Sequence, residues 1–371
     1  MDFNFSDDQE QLRDAVRKWV DRSYGFERRQ GIVKAGGFDR AAYGELAELG
    51  LTGLYVAEEH GGMAMGPIEA MVVQEELGRG IVLEPLGATL VASGVLGGYA
   101  PAAVQAQWLP KIASGEALVV LAQQERKARY RLDACEATAS QAGGGWKVSG
   151  AKSIVPAGDQ ADAFLVPARA NGKIALFLVE RGAQGVSARG YLTLEEARAA
   201  EVTLQDAAAT LVTGDGLPAL EHAVDIGIAC TCAEAVGVID KTMELTAEYM
   251  NTRKQFGVTL ASFQALRHRM ADMKMQQELA RSMSYYASLK LNAPAEERRR
   301  AMARAKYQLG VSMRFVGQNS VQLHGGIGVT DEYLGSHYFK KLTQLELQYG
   351  DTLHHLGEVS ERMQDTAGVF A

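Results

Sequence analysis

The stretch SFQALRHRMADMKMQQELARSM, residues 262–283, carries apolar residues at the spacing of one helix face. The residues of that stripe are Phe263, Leu266, Met270, Met273, Ala280 and Met283. Methionine fills irregular gaps between helices, so the Met-rich stripe predicts a buried contact between helices in preference to a ligand site. The stretch therefore predicts a long helix that packs against others.

Long helical patterns also lie on both sides of this stretch. The segment EERRRAMARAKYQLGVSMRFVGQNSVQLHGG, residues 296–326, repeats the apolar spacing and ends at a glycine pair, as helices often do. Residues 220–249 form a third long apolar pattern. Because long helices joined by short loops pack side by side, these segments predict an antiparallel four-helix bundle.

The chain upstream of the bundle divides into two further regions. Residues 119–218 hold short β-branched or aromatic runs separated by Gly, Asp and Asn clusters, the pattern of a small antiparallel β domain. Residues 1–118 have helical spacing, and the first predicted helix of this region begins at the N-cap Ser6. We expect a mainly α fold with a central β domain: an N-terminal helical domain (1–118), a middle β domain (119–218) and a C-terminal four-helix bundle (219–371).

Composition narrows the class of protein. The chain has 371 residues and a formal net charge of -7, which argues against a nucleic-acid binder because such a protein needs a basic face. Three clustered cysteines fit core packing in a reducing cytosol. The N-terminus has no signal-peptide pattern, and no apolar run approaches a membrane span, so we expect a cytoplasmic protein. The histidines lack the carboxylate–His spacing of a metal site.

Two motifs in the C-terminal region point to chemistry. In EYMNTRKQFG, residues 248–257, Arg253 either complements a helix dipole or faces a phosphate, with Phe256 covering a nucleotide ring. In QLHGGIGVTDEY, residues 322–333, Gln322 and a glycine pair either end a helix or let the backbone approach a ligand. Each motif alone leaves both interpretations open.

These motifs stand in a longer series, and with it the chain resembles the acyl-CoA dehydrogenase family over nearly its whole length. The other matching stretches are LAELGLTGLYVAEEHGG, WLPKIASGE, GWKVSGAKSIVPAG and CAEAVGVIDKTMELTAEYMNTRKQFGVTLASFQALRHRMADM. Within the family, stretches such as GYLTLEEARAAEVTL and YGDTLHHL are most similar to the small subunits of pimeloyl-CoA dehydrogenases. The resemblance implies an FAD flavoprotein that dehydrogenates an acyl-CoA thioester, with electron-transfer flavoprotein as acceptor.

The resemblance also implies where FAD would be held. Its flavin would lie between the β domain and the bundle, and its adenosine and pyrophosphate end would reach a neighbouring subunit. The residues that the resemblance assigns to this end are Arg253, Phe256, Gln264, Gln322, Gly325 and Gly326. In the family a carboxylate removes the α-proton while the β-hydride passes to the flavin, and a polarised thioester oxygen makes that proton acidic.

The chain departs from the family where the catalytic base is expected. The family glutamate follows an aromatic residue and precedes Gly and Thr, but here Gly350 and Asp351 stand between Tyr349 and Thr352. The alternative family position for the glutamate falls on Gly227. Neither position carries a carboxylate, and Asp351 is the nearest candidate base.

The flavin-facing motifs of the β domain are altered as well. The family Thr-Glu-Pro and Gly-x-Gly-Ser elements are replaced by a Gln-Glu-Arg sequence at 124–126 with no Gly-Ser after it. The family Trp-x-Thr contact to the flavin is replaced by Ile-Val-Pro at 154–156, and Pro156 offers neither a hydroxyl nor an N–H. The adenosine-side residues are therefore kept while the flavin-side residues are not.

Three hypotheses remain open from the sequence. The first is a subunit of a hetero-oligomeric acyl-CoA dehydrogenase that lacks the base and supports the FAD of a second, acyl-CoA dehydrogenase-like subunit. The second is a self-sufficient, homo-oligomeric enzyme with Asp351 as base. The third is a structural or interaction protein of the same fold without flavin.

Overall fold

The computed structural model describes residues 4–364. The helices are α1 (Asp7–Ser23), α2 (Phe26–Ala35), α3 (Arg40–Glu48), α4 (Pro67–Arg79), α5 (Leu86–Tyr99), α6 (Ala102–Ala113), α7 (Gly216–Thr252), α8 (Gln264–Lys290), α9 (Ala295–His324), α10 (Leu334–Leu347) and α11 (Thr352–Gln364). The strands are β1 (Val119–Leu121), β2 (Thr138–Ala142), β3 (Gly145–Pro156), β4 (Ala163–Ala170), β5 (Lys173–Glu180), β6 (Val186–Leu192), β7 (Arg198–Thr213), β8 (Lys254–Gln255) and β9 (Val258–Thr259). The predicted succession of helical, β and helical regions is confirmed.

The chain forms two compact units, and each unit is built from segments that are separated along the sequence. Within residues 4–364, one unit combines residues 4–28, the segment Pro67–Val82 and residues 228–364. The other combines Arg29–Gly66 and Leu83–Gly227. We refer to them as the bundle unit and the sheet unit.

The bundle unit is built on α9. Helix α8 packs along α9, and α10 and α11 pack against α9 as well. Helix α4 packs on α7 so closely that a Cβ on Gly237 would lie 1.8 Å from the carbonyl oxygen of Glu75. The predicted stripe of α8 faces this core, since Met273 and Ala280 are fully buried. At the N-terminus, Ser6 caps α1 through a capping box with Gln9.

Helix α7 supplies much of the core. Among the residues that the structure describes, it is the one helix long and apolar enough to cross a membrane, but 89% of its apolar window is buried inside the protein. That burial is typical of the core helix of a folded domain. Cys230 and Cys232 lie in this helix as free, buried thiols, as predicted.

The sheet unit contains one seven-stranded sheet. Its strands pair in the order β1, β4, β2, β3, β7 and β5, with β6 on β7 and a further pairing of β4 with β5. Most neighbours are antiparallel as predicted, but β4 runs parallel to both β1 and β2. A parallel pair needs a crossover connection, which local sequence patterns do not reveal. The hydrophobic core of this unit includes Phe164, Val166, Phe177 and, from α3, Tyr43.

Candidate functional site

The turn between α10 and α11 is held by a buried lysine. Lys306, on α9, is 1% exposed, and its Nζ donates to the carbonyl oxygens of Leu345 (2.9 Å), Glu346 (2.9 Å) and Gly350 (3.0 Å). Two of these carbonyls belong to the last turn of α10, where helical partners are missing. Burial lowers the pKa of Lys306 to about 8. One ammonium group therefore fixes both the end of α10 and the turn that follows it.

The start of α11 is fixed by a second set of polar contacts. The buried carboxylate of Glu346 accepts hydrogen bonds from the backbone N–H of Thr352 (3.0 Å) and from its hydroxyl. His355 is 4% exposed, and its Nε2 lies 3.1 Å from the carbonyl oxygen of Tyr349. Burial lowers the pKa of His355 to about 2, so the imidazole is neutral at physiological pH and donates from Nε2. Little freedom remains for residues 349–352.

Asp351 caps α11 and also borders a cavity. Its Oδ1 accepts a hydrogen bond from the backbone N–H of His354 at 2.8 Å, as an N-cap carboxylate does. The cavity has a volume of about 330 Å³, which lies in the range of small-molecule sites. Its lining also includes Met313, Arg314, Gln318, Phe339, Leu342, Thr343, Glu346, Leu347 and Leu353. Asp351 is therefore half-buried and near open space, with one carboxylate oxygen committed to the helix.

The two positions expected for a family glutamate lie in different units. Gly350 is buried in the turn of the bundle unit, with φ at 117°. Gly227 is buried within α7, in the segment of that helix that belongs to the sheet unit. The neighbouring Asp225 is also fully buried.

A short hairpin after α7 presents an exposed aromatic ring. Strands β8 and β9 are joined by Phe256 and Gly257, with φ at 55° and 82°, the signs that a type I′ turn requires. Asparagine or glycine usually fills the first of these positions, because a bulky side chain is costly there. Phe256 nevertheless occupies it and is 92% exposed. Unusual backbone held at an exposed aromatic is a feature of ligand-contacting loops.

The remaining predicted residues gather at the same end of the bundle unit. The rings of Tyr249 and His324 are 4.6 Å apart, which joins the end of α7 to the end of α9. The rings of Phe256 and Phe263 are 6.2 Å apart, which joins the hairpin to the start of α8. The exposed residues placed here are Arg253, Gln264, Gln322, Gly325 and Gly326. The structure thus brings the two sequence motifs to one end of the unit.

This end has the features of an anion site. Within residues 4–364, the guanidinium of Arg253 forms no salt bridge. Gly325 has φ 64° and ψ -142°, a backbone conformation that is open essentially to glycine alone. A Cβ added to Gly325 or Gly326 would meet no atom within 4 Å, so the backbone is open to a ligand. An unpaired arginine, an accessible backbone and an aromatic ring suit the phosphates and the adenosine of a dinucleotide.

In the sheet unit, Glu125 of the altered motif is part of a buried ion pair. Its Oε1 lies 2.6 Å from the Nζ of Lys152, and its carboxylate accepts the N–H groups of Glu136 (2.6 Å) and Ala137 (3.1 Å). Lys152 also donates to the carbonyl oxygen of Pro167 at 2.8 Å. Sequence reasoning missed this pair, because the two residues are distant along the chain and neither stands in a paired motif. Glu125 serves the fold of the sheet.

The 154–156 segment sits at a bulge in β3. The pairing of β3 with β7 shifts register between Lys152 and Val155, and Ile154 has φ at 52° with 45% of its surface exposed. A β-branched residue in this region is an outlier. The bulge turns an apolar side chain outward, and Pro156 offers no N–H to a ligand. Among residues 4–364, no cluster of three metal-ligating side chains occurs.

Comparisons with known proteins agree with this architecture. Family models for the N-terminal and C-terminal domains of acyl-CoA dehydrogenases match residues 6–116 and 214–363. Acyl-CoA dehydrogenase FadE27 of Mycobacterium tuberculosis is 26% identical over 343 residues, which cover 89% of each chain. A variant of the steroid ACAD Tcur3481-Tcur3483 has a TM-score of 0.90 and 27% identity, covering 97% of this chain and 99% of that chain. The ChsE4-ChsE5 complex of Mycobacterium tuberculosis has a TM-score of 0.90 and 26% identity, covering 99% and 100%.

Proposed function

Because this chain belongs to the acyl-CoA dehydrogenase family of FAD flavoproteins, we propose that it is a subunit of a hetero-oligomeric acyl-CoA dehydrogenase. In this proposal the chain lacks the catalytic base and helps to hold the FAD of a partner subunit that carries it. The observation that carries the proposal is an asymmetry. The end of the bundle unit that suits a dinucleotide is intact and open, whereas the turn expected to hold the base carries Gly350.

The chain's own residues have distinct parts in this function. Arg253 would neutralise the pyrophosphate, Phe256 would cover the adenosine side, and the backbone at Gly325 would let the phosphates approach. FAD, when bound, supplies the acceptor for the hydride that leaves the β-carbon of the acyl group. The residues 154–156 fit the flavin ring poorly, since Pro156 has no N–H and Ile154 replaces an aromatic. The chain thus fits one end of FAD better than the other.

Related structures support a two-component assembly. Two structural neighbours are named for a pair of components, Tcur3481-Tcur3483 and ChsE4-ChsE5. The substrate in our proposal is an acyl-CoA. The sequence resemblance to pimeloyl-CoA dehydrogenase small subunits favours a dicarboxylic acyl group, and the steroid ACAD neighbour favours a steroid acyl group. We further propose electron-transfer flavoprotein as acceptor, a cytoplasmic location, and domains at 1–118, 119–218 and 219–371.

Expression of the chain alone and with a glutamate-bearing family partner tests the proposal. We expect FAD at stoichiometric levels and acyl-CoA oxidation only in the co-expressed complex. Arg253→Gln should weaken FAD retention by the complex, whereas Arg304→Gln, an exposed control on α9, should not. If the isolated chain binds stoichiometric FAD and oxidises an acyl-CoA, the proposal is wrong.

The cavity beside Asp351 favours a second candidate, in which this carboxylate is the base of a self-sufficient enzyme. Asparagine caps helices about as well as aspartate, so Asp351→Asn removes the carboxylate and keeps the cap of α11. Activity in the isolated chain that disappears in this variant, at an unchanged melting temperature, would favour the second candidate. Full activity of the Asp351→Asn variant would eliminate it.

A further inference from the structure

We infer that the rings of His354 and His355 exclude any side chain from position 350, in addition to the restriction that the backbone φ imposes there. The inference rests on the geometry of the turn, and it holds whether or not the proposed function is right.

The space next to Gly350 is filled by the two imidazole rings. A Cβ built on Gly350 would lie 2.4 Å from Nε2 of His355 and 2.6 Å from Cδ2 of His354. Both distances are far below van der Waals contact, so any side chain at this position forces a ring to move. The backbone adds a second obstacle, since φ of Gly350 is 117°.

The rings have little room to move. His355 is 4% exposed and bonded to the carbonyl oxygen of Tyr349, and its ring packs edge-to-face on that of His354 at 5.0 Å. The N–H of His354 is fixed by Asp351, at 2.8 Å. From the other side, Lys306 holds the carbonyl oxygen of Gly350 at 3.0 Å, so the turn cannot shift away. Rings and turn are therefore fixed against each other.

Two backgrounds separate the effect of the rings from the effect of φ. In the complex with the partner subunit, Gly350→Ala is made in the wild-type chain and in the His354→Ala/His355→Ala chain. We expect the alanine to lower the melting temperature by at least about 3 °C in the wild-type background, and by clearly less when the rings are absent. Gly357→Ala is the control, because Gly357 lies in α11 and a Cβ there meets no atom within 4 Å. An equal loss in both backgrounds, or no loss in either, overturns the inference.

Discussion

Replacement of Lys306 by methionine tests how much one buried ammonium contributes to the bundle unit. The change removes hydrogen bonds of 2.9, 2.9 and 3.0 Å and leaves the carbonyls of Leu345, Glu346 and Gly350 buried without that donor. Each orphaned carbonyl costs about 2 kcal/mol, or about 6 kcal/mol together. Methionine has a similar length, so packing against the side-chain stem is largely kept.

The cost of burying the charge is recovered in the variant. Burial lowers the pKa of Lys306 from 10.5 to about 8, and at about 1.4 kcal/mol per unit this penalty is about 3 kcal/mol. The expected net effect of Lys306→Met is thus a loss of about 3 kcal/mol in the free energy of unfolding at pH 7. Hydrogen exchange should also accelerate locally, at the amides of residues 345–355.

Urea denaturation of the Lys306→Met variant gives the free energy, and mass-resolved hydrogen exchange gives its location. Arg304→Met is the matched control, since Arg304 is exposed on the same helix and should change stability by less than about 0.5 kcal/mol. A Lys306→Met protein within about 0.5 kcal/mol of wild type, with unchanged exchange at 345–355, would refute the reasoning.

The pH dependence of the Lys306→Met difference gives an independent check. The folded-state pKa of Lys306, about 8, lies below the unfolded value of 10.5. Between these values the unfolded chain binds more protons, so wild type gains stability with rising pH. The stability difference between wild type and variant should therefore widen from pH 8 to pH 10. A difference that narrows over this range would contradict the pKa shift.

Three further predictions concern other sites. Burial raises the pKa of Glu75 from 4.5 to about 7, so the folded state binds more protons between these values and stability falls as pH rises through that window. In urea titrations, the free energy of unfolding of Glu75→Gln should exceed that of wild type by up to about 3 kcal/mol at pH 8 and match it at pH 4. An equal difference at both pH values would contradict this prediction. Lys152→Met should lower the free energy of unfolding by about 3–5 kcal/mol, because it leaves Glu125 buried without its cation. The double variant Lys152→Met/Glu125→Gln should recover part of that loss. A double variant less stable than the single variant would count against the pairing. Phe256→Asn should keep or raise the melting temperature, since asparagine tolerates positive φ. The affinity of the complex for FAD, measured by flavin fluorescence, should fall several-fold because the exposed ring is lost. Unchanged affinity would exclude Phe256 from the cofactor site.

Helix and strand patterns in the sequence predicted the type of most elements. The α8 stripe, the capped start of α1 at Ser6 and the β-rich middle region all have their predicted structure. The helices α2, α5, α10 and α11 and the strands β2, β6, β8 and β9 were not predicted as separate elements. Helix α5 is apolar on nearly every side, and β2 is mostly exposed, so neither has the clear alternation that marks an element from sequence.

The candidate site divides in the same way. Residue types at fixed spacing are a local property, so the sequence showed the motifs around Arg253 and Gln322. The resemblance to the family predicts a missing glutamate at position 350, and this stays a prediction. The sequence did not predict that Lys152 forms a hydrogen bond to Glu125, or that one carboxylate oxygen of Asp351 accepts a hydrogen bond at the N-terminus of α11. Those functions depend on partners brought by other segments.

The turn at Gly350 separates what the sequence predicts from what only the tertiary structure shows. The sequence by itself determined that no carboxylate stands there and that two histidines follow. Only the tertiary structure decided that the rings of His354 and His355 fill the vacant space and that Lys306 holds the turn from α9. The physical reason is distance along the chain: periodicity and capping depend on residues a few positions apart, whereas steric exclusion and buried hydrogen bonds depend on where the folded chain returns.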